Sequence, residues 1–204
     1  MSTDLIDAID QHDAGKVSAL LSAGADPNLA RSLPPHWRPL GYAIEELEFG
    51  GSLDIVRLLI ANGADVNAVY VDTGLTGLHA AVFSENIEVI KLVLDAGADP
   101  NIPDNEDTSP LKFSVEQGSF EMAKLLLEYG AERTINEAGG FCGCTALALA
   151  ASKLDIAMIE LLLKNGADPD TRDADGQTAR QYLPPPDESD NEAWDAARDL
   201  LQGG

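Results

Sequence analysis

Leu20-Leu21-Ser22-Ala23-Gly24-Ala25-Asp26-Pro27-Asn28 is a phrase that this chain writes five times. It returns, varied, at Leu58 to Asn67, Leu92 to Asn101, Leu125 to Thr134 and Leu161 to Asp170. The phrase glycines Gly24, Gly63, Gly97, Gly130 and Gly166 are separated by 39, 34, 33 and 36 residues, a period at which repetition signals one supersecondary unit stacked into an array. Ahead of the glycine, runs such as Ile55-Val56-Arg57-Leu58-Leu59-Ile60 carry apolar residues at helical spacing. Asn62-Gly63 is the stop signal, because glycine enters the left-handed C-cap conformation without a Cβ clash. The Ala-Asp-Pro/Val-Asn that follows reads as a short extended stretch leading into a turn, with Pro27, Pro100 and Pro169 blocking helical continuation.

Upstream of each such helix lies a second, shorter apolar segment. Thr76-Gly77-Leu78-His79-Ala80-Ala81-Val82 places a capping threonine before a run of small residues. Ser109-Pro110-Leu111-Lys112 puts proline at the first helical position, where its missing N–H costs least. Thr145-Ala146-Leu147-Ala148-Leu149-Ala150-Ala151 repeats the scheme. Each unit therefore reads as two antiparallel helices plus a turn.

With these residues in place, the chain resembles the ankyrin repeat family, whose unit runs Asp-x-x-Gly-x-Thr-Pro-Leu-His-x-Ala-Ala, a second helix, and Gly-Ala-Asp-x-Asn. The resemblance implies an all-α ankyrin-repeat solenoid of stacked helix-turn-helix units. It covers essentially the whole length as a single domain: a polar-faced N-cap at 1–33, internal units at 34–69, 70–103, 104–136 and 137–170, and a C-cap at 171–204 with an extra helix at 191–202. End units of this kind are needed because an internal unit left bare would expose its apolar face. The first helix is expected from about Thr3 to Gln11. The last unit opens on Asp173-x-x-Gly176-x-Thr178-Ala179 and is cut short by Pro184-Pro185-Pro186. Only the third copy keeps the histidine, as His79; Gly41, Lys112, Ala148 and Gln181 stand in its place elsewhere. In the family that histidine serves the turn network between neighbouring units, so the resemblance implies that these copies satisfy the same backbone groups differently, or less well.

The 204 residues are 45% hydrophobic but only 5% aromatic, so the core is expected to be built from Leu, Ile, Val and Ala. No apolar run is long enough to span a bilayer, and Met1-Ser2-Thr3-Asp4 lacks the basic start of a secretory signal. A cytoplasmic location is the expectation. Thirteen Lys and Arg against thirty-five Asp and Glu give a formal charge of −22. Such a chain repels phosphate backbones and anionic lipid, which argues against nucleic acid or membrane as partner. A protein with a basic surface is the natural complement, its encounter accelerated by the acidic field. The same acidity also serves solubility.

Signatures of catalysis are missing. There is no Gly-x-x-x-x-Gly-Lys loop, no His-Glu-x-x-His and no Gly-x-Ser-x-Gly elbow. Asp26, Asp65, Asp99 and Asp168 recur because the turn needs them. No metal or cofactor is expected. Cys142 and Cys144 sit in a long hairpin, where a Cys-x-Cys could give two thiolates to a metal or form a redox pair; they read as two unpaired thiols, since a tetrahedral zinc site needs two further ligands and no second cluster is evident. A thiol- or metal-dependent enzyme built on this pair is the competing class, and it requires a depressed thiol pKa and a helper histidine.

The resemblance implies a non-catalytic protein–protein interaction module, monomeric, that binds through hairpin tips and the exposed strip of the first helices. Counting back from the phrase glycines places Glu45, Phe83, Glu116 and Ser152 in one column, with Glu46, Ser84, Gln117 and Lys153 beside it. Trp37, Tyr70 and Phe141 occupy hairpin tips, and an interface anchor of this type is commonly aromatic. Trp37 reads equally well as folding back over Pro34 and Pro35. The candidate contacts are thus Trp37, Glu45, Glu46, Tyr70, Phe83, Glu116, Phe141, Ser152 and Lys153. Phe49, in the insertion Leu47-Glu48-Phe49-Gly50, is expected to pack locally. Small acidic proteins of this family also resemble immunity or inhibitor proteins that neutralise a toxin or enzyme, an analogy of class that offers a narrower use of the same surface.

Overall fold

The computed structural model describes residues 2–30, 38–186 and 191–202. Among them are eleven α-helices, three short 3-10 turns and two isolated antiparallel bridges, Val69 with Thr76 and Gly139 with Cys144. The chain divides into two compact units, Met1–Asp104 and Asn105–Gly204. The first holds α1 (Ser2–Asp10), α2 (Ala14–Ser22), α3 (Pro39–Glu45), α4 (Leu53–Ala61), α5 (Gly77–Phe83) and α6 (Ile87–Asp95). The second holds α7 (Pro110–Glu116), α8 (Phe120–Glu128), α9 (Ala146–Ser152), α10 (Ile156–Lys164) and α11 (Asn191–Gln202).

Helices of seven and nine residues are too short to persist alone in water, so packing must hold them. Within the first unit α1–α2, α3–α4 and α5–α6 form hairpins, α3 packs on both α1 and α5, and α2 packs on α4. Within the second, α7–α8 and α9–α10 are hairpins, α7 packs on α9, and α8 packs on α10. Ile44, Leu59, Leu78 and Val82 in one unit, and Leu111, Leu126, Leu147 and Leu162 in the other, have essentially no exposed surface. Aliphatic side chains of this kind interdigitate without polar atoms to satisfy, which suits interfaces between helices.

Local chemistry fixes the helix starts. The Asp13 carboxylate accepts from the Lys16 N–H at 2.9 Å, and Asn86 accepts from Glu88 and Val89. Ser109, Thr145 and Asp155 cap α7, α9 and α10 in the same way. At the other end Gly63, at φ +85°, turns the chain so that the Ala64 N–H reaches the Leu59 carbonyl.

After the glycine two residues lead into the turn that the sequence suggests, at Pro27-Asn28 and at Val66-Asn67. The Asp65 carboxylate accepts from the Asn67 N–H at 3.0 Å, and Asp26 and Asp168 make the corresponding turns. The phrase asparagine then reaches into the next copy. Asn28 Nδ2 donates to the Gly63 carbonyl at 2.9 Å while its Oδ1 accepts from the Asp65 N–H at 2.6 Å. Asn67 repeats both bonds with Gly97 and Asp99. In the second unit the role passes to Asn136, which bonds Gly166 and Asp168. The 3-10 turn Ala131–Thr134 displaces the asparagine from the expected place of Thr134. One amide side chain thus saturates a donor and an acceptor one copy away, and the recurrence of Asn is a backbone requirement.

The substituted histidine positions are resolved individually. His79 is fully buried, and its Nδ1 accepts from the Thr76 N–H at 3.0 Å, closing a capping box. Gln181 copies this with its Oε1 on the Thr178 N–H at 2.8 Å. Lys112, buried, sends its ammonium to the carbonyls of Gly139 and Cys144 in the following hairpin. Gly41 carries no side chain because the Tyr70 hydroxyl fills its place; a Cβ there would collide with it. Ala148 offers no substitute, and Thr145 alone caps that helix.

The end units are closed by specific bonds. α1 spans Ser2–Asp10, close to the expected limits, and Asp10 accepts from the Tyr42 hydroxyl at 2.8 Å. At the other terminus the proline run shortens the first helix to a 3-10 turn, Ala179–Tyr182. α11 covers it with Ala197 and Leu201 buried, and Trp194 Nε1 donates to the Pro184 carbonyl at 2.8 Å. Asp173 accepts from the Tyr182 hydroxyl at 2.5 Å and from the N–H groups of Asp175 and Gln177. Burial pushes its carboxyl up, but these donors outweigh burial and hold it below the usual range.

Candidate protein-interaction face

The insertion after α3 shapes the first unit's surface. Glu46–Phe49 forms a 3-10 turn closed by Gly50 at φ +97°. This turn stands beside the hairpin that carries Tyr70, where the Tyr70 N–H bonds the Leu75 carbonyl at 2.8 Å and the Gly74 N–H bonds the Tyr70 carbonyl at 2.7 Å. α5 completes the enclosure. The result is a cavity of about 300 Å³ lined by Glu45, Glu48, Phe49, Tyr70, Leu75, Ala80 and Phe83. Phe49 is 74% exposed and Phe83 40%. Phe49 is therefore at the rim of a groove rather than packed away as the sequence suggests, because a 3-10 turn too short to cover it lifts it off the core.

Three sequence-derived candidates, Glu45, Tyr70 and Phe83, meet at this cavity. The Tyr70 hydroxyl is buried without a hydrogen bond of ordinary geometry. Glu45 is its electrostatic neighbour, and burial followed by that negative charge pushes the phenol far above its usual range. Glu45 itself is half-buried, and burial holds its carboxyl above the usual carboxylate range; Tyr70 opposes this, while Glu46 and Glu48 add to it. No lysine or arginine among the described residues pairs with Glu45 or Glu48.

A native carboxyl that titrates above its unfolded value costs stability when ionised. That cost is present above the native pKa and is lost as pH falls below the unfolded one. Glu45→Gln is therefore expected to raise the urea midpoint at pH 7 and to have a smaller effect near pH 3.5. A midpoint shift that is the same at both pH values would show that Glu45 pays no electrostatic cost.

The remaining candidates are placed differently. Trp37 lies outside the described residues. Glu46 is turned toward the turn between α1 and α2, its carboxylate 2.8 Å from His12 Nε2. Glu116, half-buried at the end of α7, belongs to the second unit. Ser152 donates to the Leu149 carbonyl of its own helix at 2.8 Å. Lys153 donates to the carbonyls of Val115, at 3.1 Å, and Glu116, so its ammonium caps α7. Phe141 is fully exposed at a hairpin tip.

Beside Phe141 the sequence expectation is corrected: Cys142 and Cys144 are not unpaired thiols but are joined in a disulfide. The Gly139–Cys144 bridge and the bound Lys112 ammonium close this hairpin so that both sulfurs fall on one side of a three-residue turn. Among the described residues no group of three or more His, Cys, Asp or Glu is placed to hold a metal ion. No described helix is long and apolar enough to cross a membrane.

The sequence matches the family description for ankyrin repeats in three copies over residues 5–104 and 40–137, and that for ankyrin repeats in many copies over 138–183. The chain belongs to the ankyrin repeat family. Its fold class is accordingly all-α, of the ankyrin-repeat solenoid type. The ankyrin repeat domain of Bcl-3 superposes with a TM-score of 0.78 at 29% identity, covering 98% of this chain and 81% of that one. A second solved ankyrin repeat protein gives 0.77 at 24% identity, covering 99% and 98%. Relatives include the E3 ubiquitin-protein ligase KEG of Arabidopsis thaliana, 32% identical over 64% of this chain and 8% of the ligase. The mitochondrial disaggregase of Bos taurus is 34% identical over 69% of this chain and 20% of that protein. The ankyrin repeat and SOCS box protein 3 of Bos taurus is 37% identical over 72% and 28%. The chain thus spans a small part of these relatives, and what is shared with them is the ankyrin array. Ankyrin repeats are generally protein–protein interaction modules rather than enzymes.

Proposed function

We propose that this chain is a non-catalytic module that binds a protein with a basic surface, using the acidic, aromatic-edged face formed by α3, α5 and the turns beside them. The observation that carries this reading is Glu45: a half-buried carboxylate, held above its usual pKa and given no cationic partner among the described residues, beside exposed Phe49 and Phe83. A group kept ionisable at a cost to stability is characteristic of a binding surface. The formal charge of −22 supplies the long-range field that steers a cationic partner. Phe141, exposed on its own hairpin tip, is a separate candidate contact in the second unit.

A partner captured from the native extract and purified provides the test. Glu45→Lys with Glu48→Lys should slow its association by about tenfold at low salt, with a much smaller effect at high salt. Glu46→Lys is expected to act mainly through its bond to His12 and to change stability rather than on-rate. Association rates unchanged by the double reversal would overturn the proposal.

A further inference from the structure

We infer that the cavity between α3 and α5 is a receptacle for one arginine side chain presented by the partner. This rests on the interaction reading above and names the group that the face grips. The cavity, about 300 Å³, has the volume for one long side chain and not for a large ligand. Its walls are of two kinds. Phe49, Tyr70 and Phe83 contribute aromatic carbon, and because the Tyr70 hydroxyl is buried against Gly41, what Tyr70 presents to the cavity is ring. Glu45 and Glu48 contribute carboxylates with no cation beside them among the described residues.

Each class of guest meets this lining differently. An aliphatic side chain would cover the aromatic carbon but desolvate Glu45 further with no countercharge, which is unfavourable. A lysine ammonium would answer the charge, yet it is compact and strongly hydrated and has no flat face for the rings. A guanidinium is planar, more weakly hydrated, stacks on aromatic faces and pairs with carboxylates, and its three-carbon stem suits the apolar wall. Arginine satisfies both halves of the lining at once. The net charge of the chain brings such a residue to the cavity mouth.

Titration of the intact 15N-labelled 204-residue chain with N-acetyl-arginine amide, followed by two-dimensional NMR, tests this directly, with N-acetyl-lysine amide and N-acetyl-leucine amide as comparisons. Saturable shifts should centre on the amides of Glu48, Phe49, Leu75 and Phe83. Lysine amide should bind at least about threefold more weakly, and leucine amide should not saturate. Glu45→Gln and Phe83→Ala, each checked for retained helicity, should weaken arginine amide by about fivefold or more, whereas Phe141→Ala should leave it unchanged. Equal or tighter binding of leucine amide, shifts centred elsewhere, no saturable shift, or indifference to both cavity variants would each overturn the assignment. The two readings fail separately. Capture of the protein partner that depends on Glu45 and Glu48 while arginine amide does not bind would leave the interaction face and remove the arginine site. Arginine amide seated in the cavity while partner association ignores the charge reversals would do the opposite.

Discussion

Replacing Leu126 with alanine is expected to destabilise the second unit by about 2–5 kcal/mol. Leu126 lies in the middle of α8, has no exposed surface, and sits on the helix that packs against both α7 and α10. Its removal takes away apolar contact area and leaves a void that neighbours held in short, capped helices cannot fill by moving. Leu125, one residue earlier, is only half-buried, and Leu125→Ala should cost clearly less. Urea denaturation of the two variants, with the slope checked for constancy, measures the difference. Equal costs would mean that the α8 face is wrongly assigned.

Lys112→Met should destabilise the same unit by about 1–3 kcal/mol and loosen the 139–144 hairpin in particular. Methionine keeps most of the apolar stem but removes the ammonium, leaving the carbonyls of Gly139 and Cys144 without that donor in a buried place. Gly139 cannot be rebuilt around the loss, since it lies so close to the Asp107 backbone that even a Cβ is excluded. Amide hydrogen exchange is the appropriate reading. Gly140 and Gly143, bonded to the carbonyls of Glu106 and Gly140, should exchange faster in the variant while amides within α8 follow only the global change. Unchanged exchange at the hairpin would mean that the ammonium contributes nothing to holding it.

The helices were legible in the sequence because the chemistry that starts and stops them lies within four residues. Ser109, Thr145 and Asp155 cap their own helices, and Gly63 ends α4 through bonds to the preceding turn. The candidate face was legible in part. The helix register put Glu45 and Phe83 in one column, and both line the cavity. The same register also admitted Glu46, Ser152 and Lys153, whose polar atoms are spent on His12 and on helix ends. Phe49 reads from the sequence as packing locally and Glu48 goes unassigned, because an insertion has no counterpart in the other copies by which to place it. A usable signal was present in it: Leu47-Glu48-Phe49-Gly50 joins an aromatic and an acid to a glycine stop.

What the sequence determined by itself was the repeat: capped helical hairpins, their length, and the aliphatic stripe that makes stacking obligatory, all set by neighbours close along the chain. What only the tertiary structure decided was how the exceptions are satisfied and what they build. The Tyr70 hydroxyl takes the room left by Gly41, and the Lys112 ammonium reaches a hairpin about one copy further on. Lys153 closes α7, and Cys142 meets Cys144. Except for the disulfide, these partners lie roughly one repeat apart in sequence, a separation at which spacing carries no directional information. Only packing brings a side chain and its unsatisfied group, or the two walls of a cavity, to the same point.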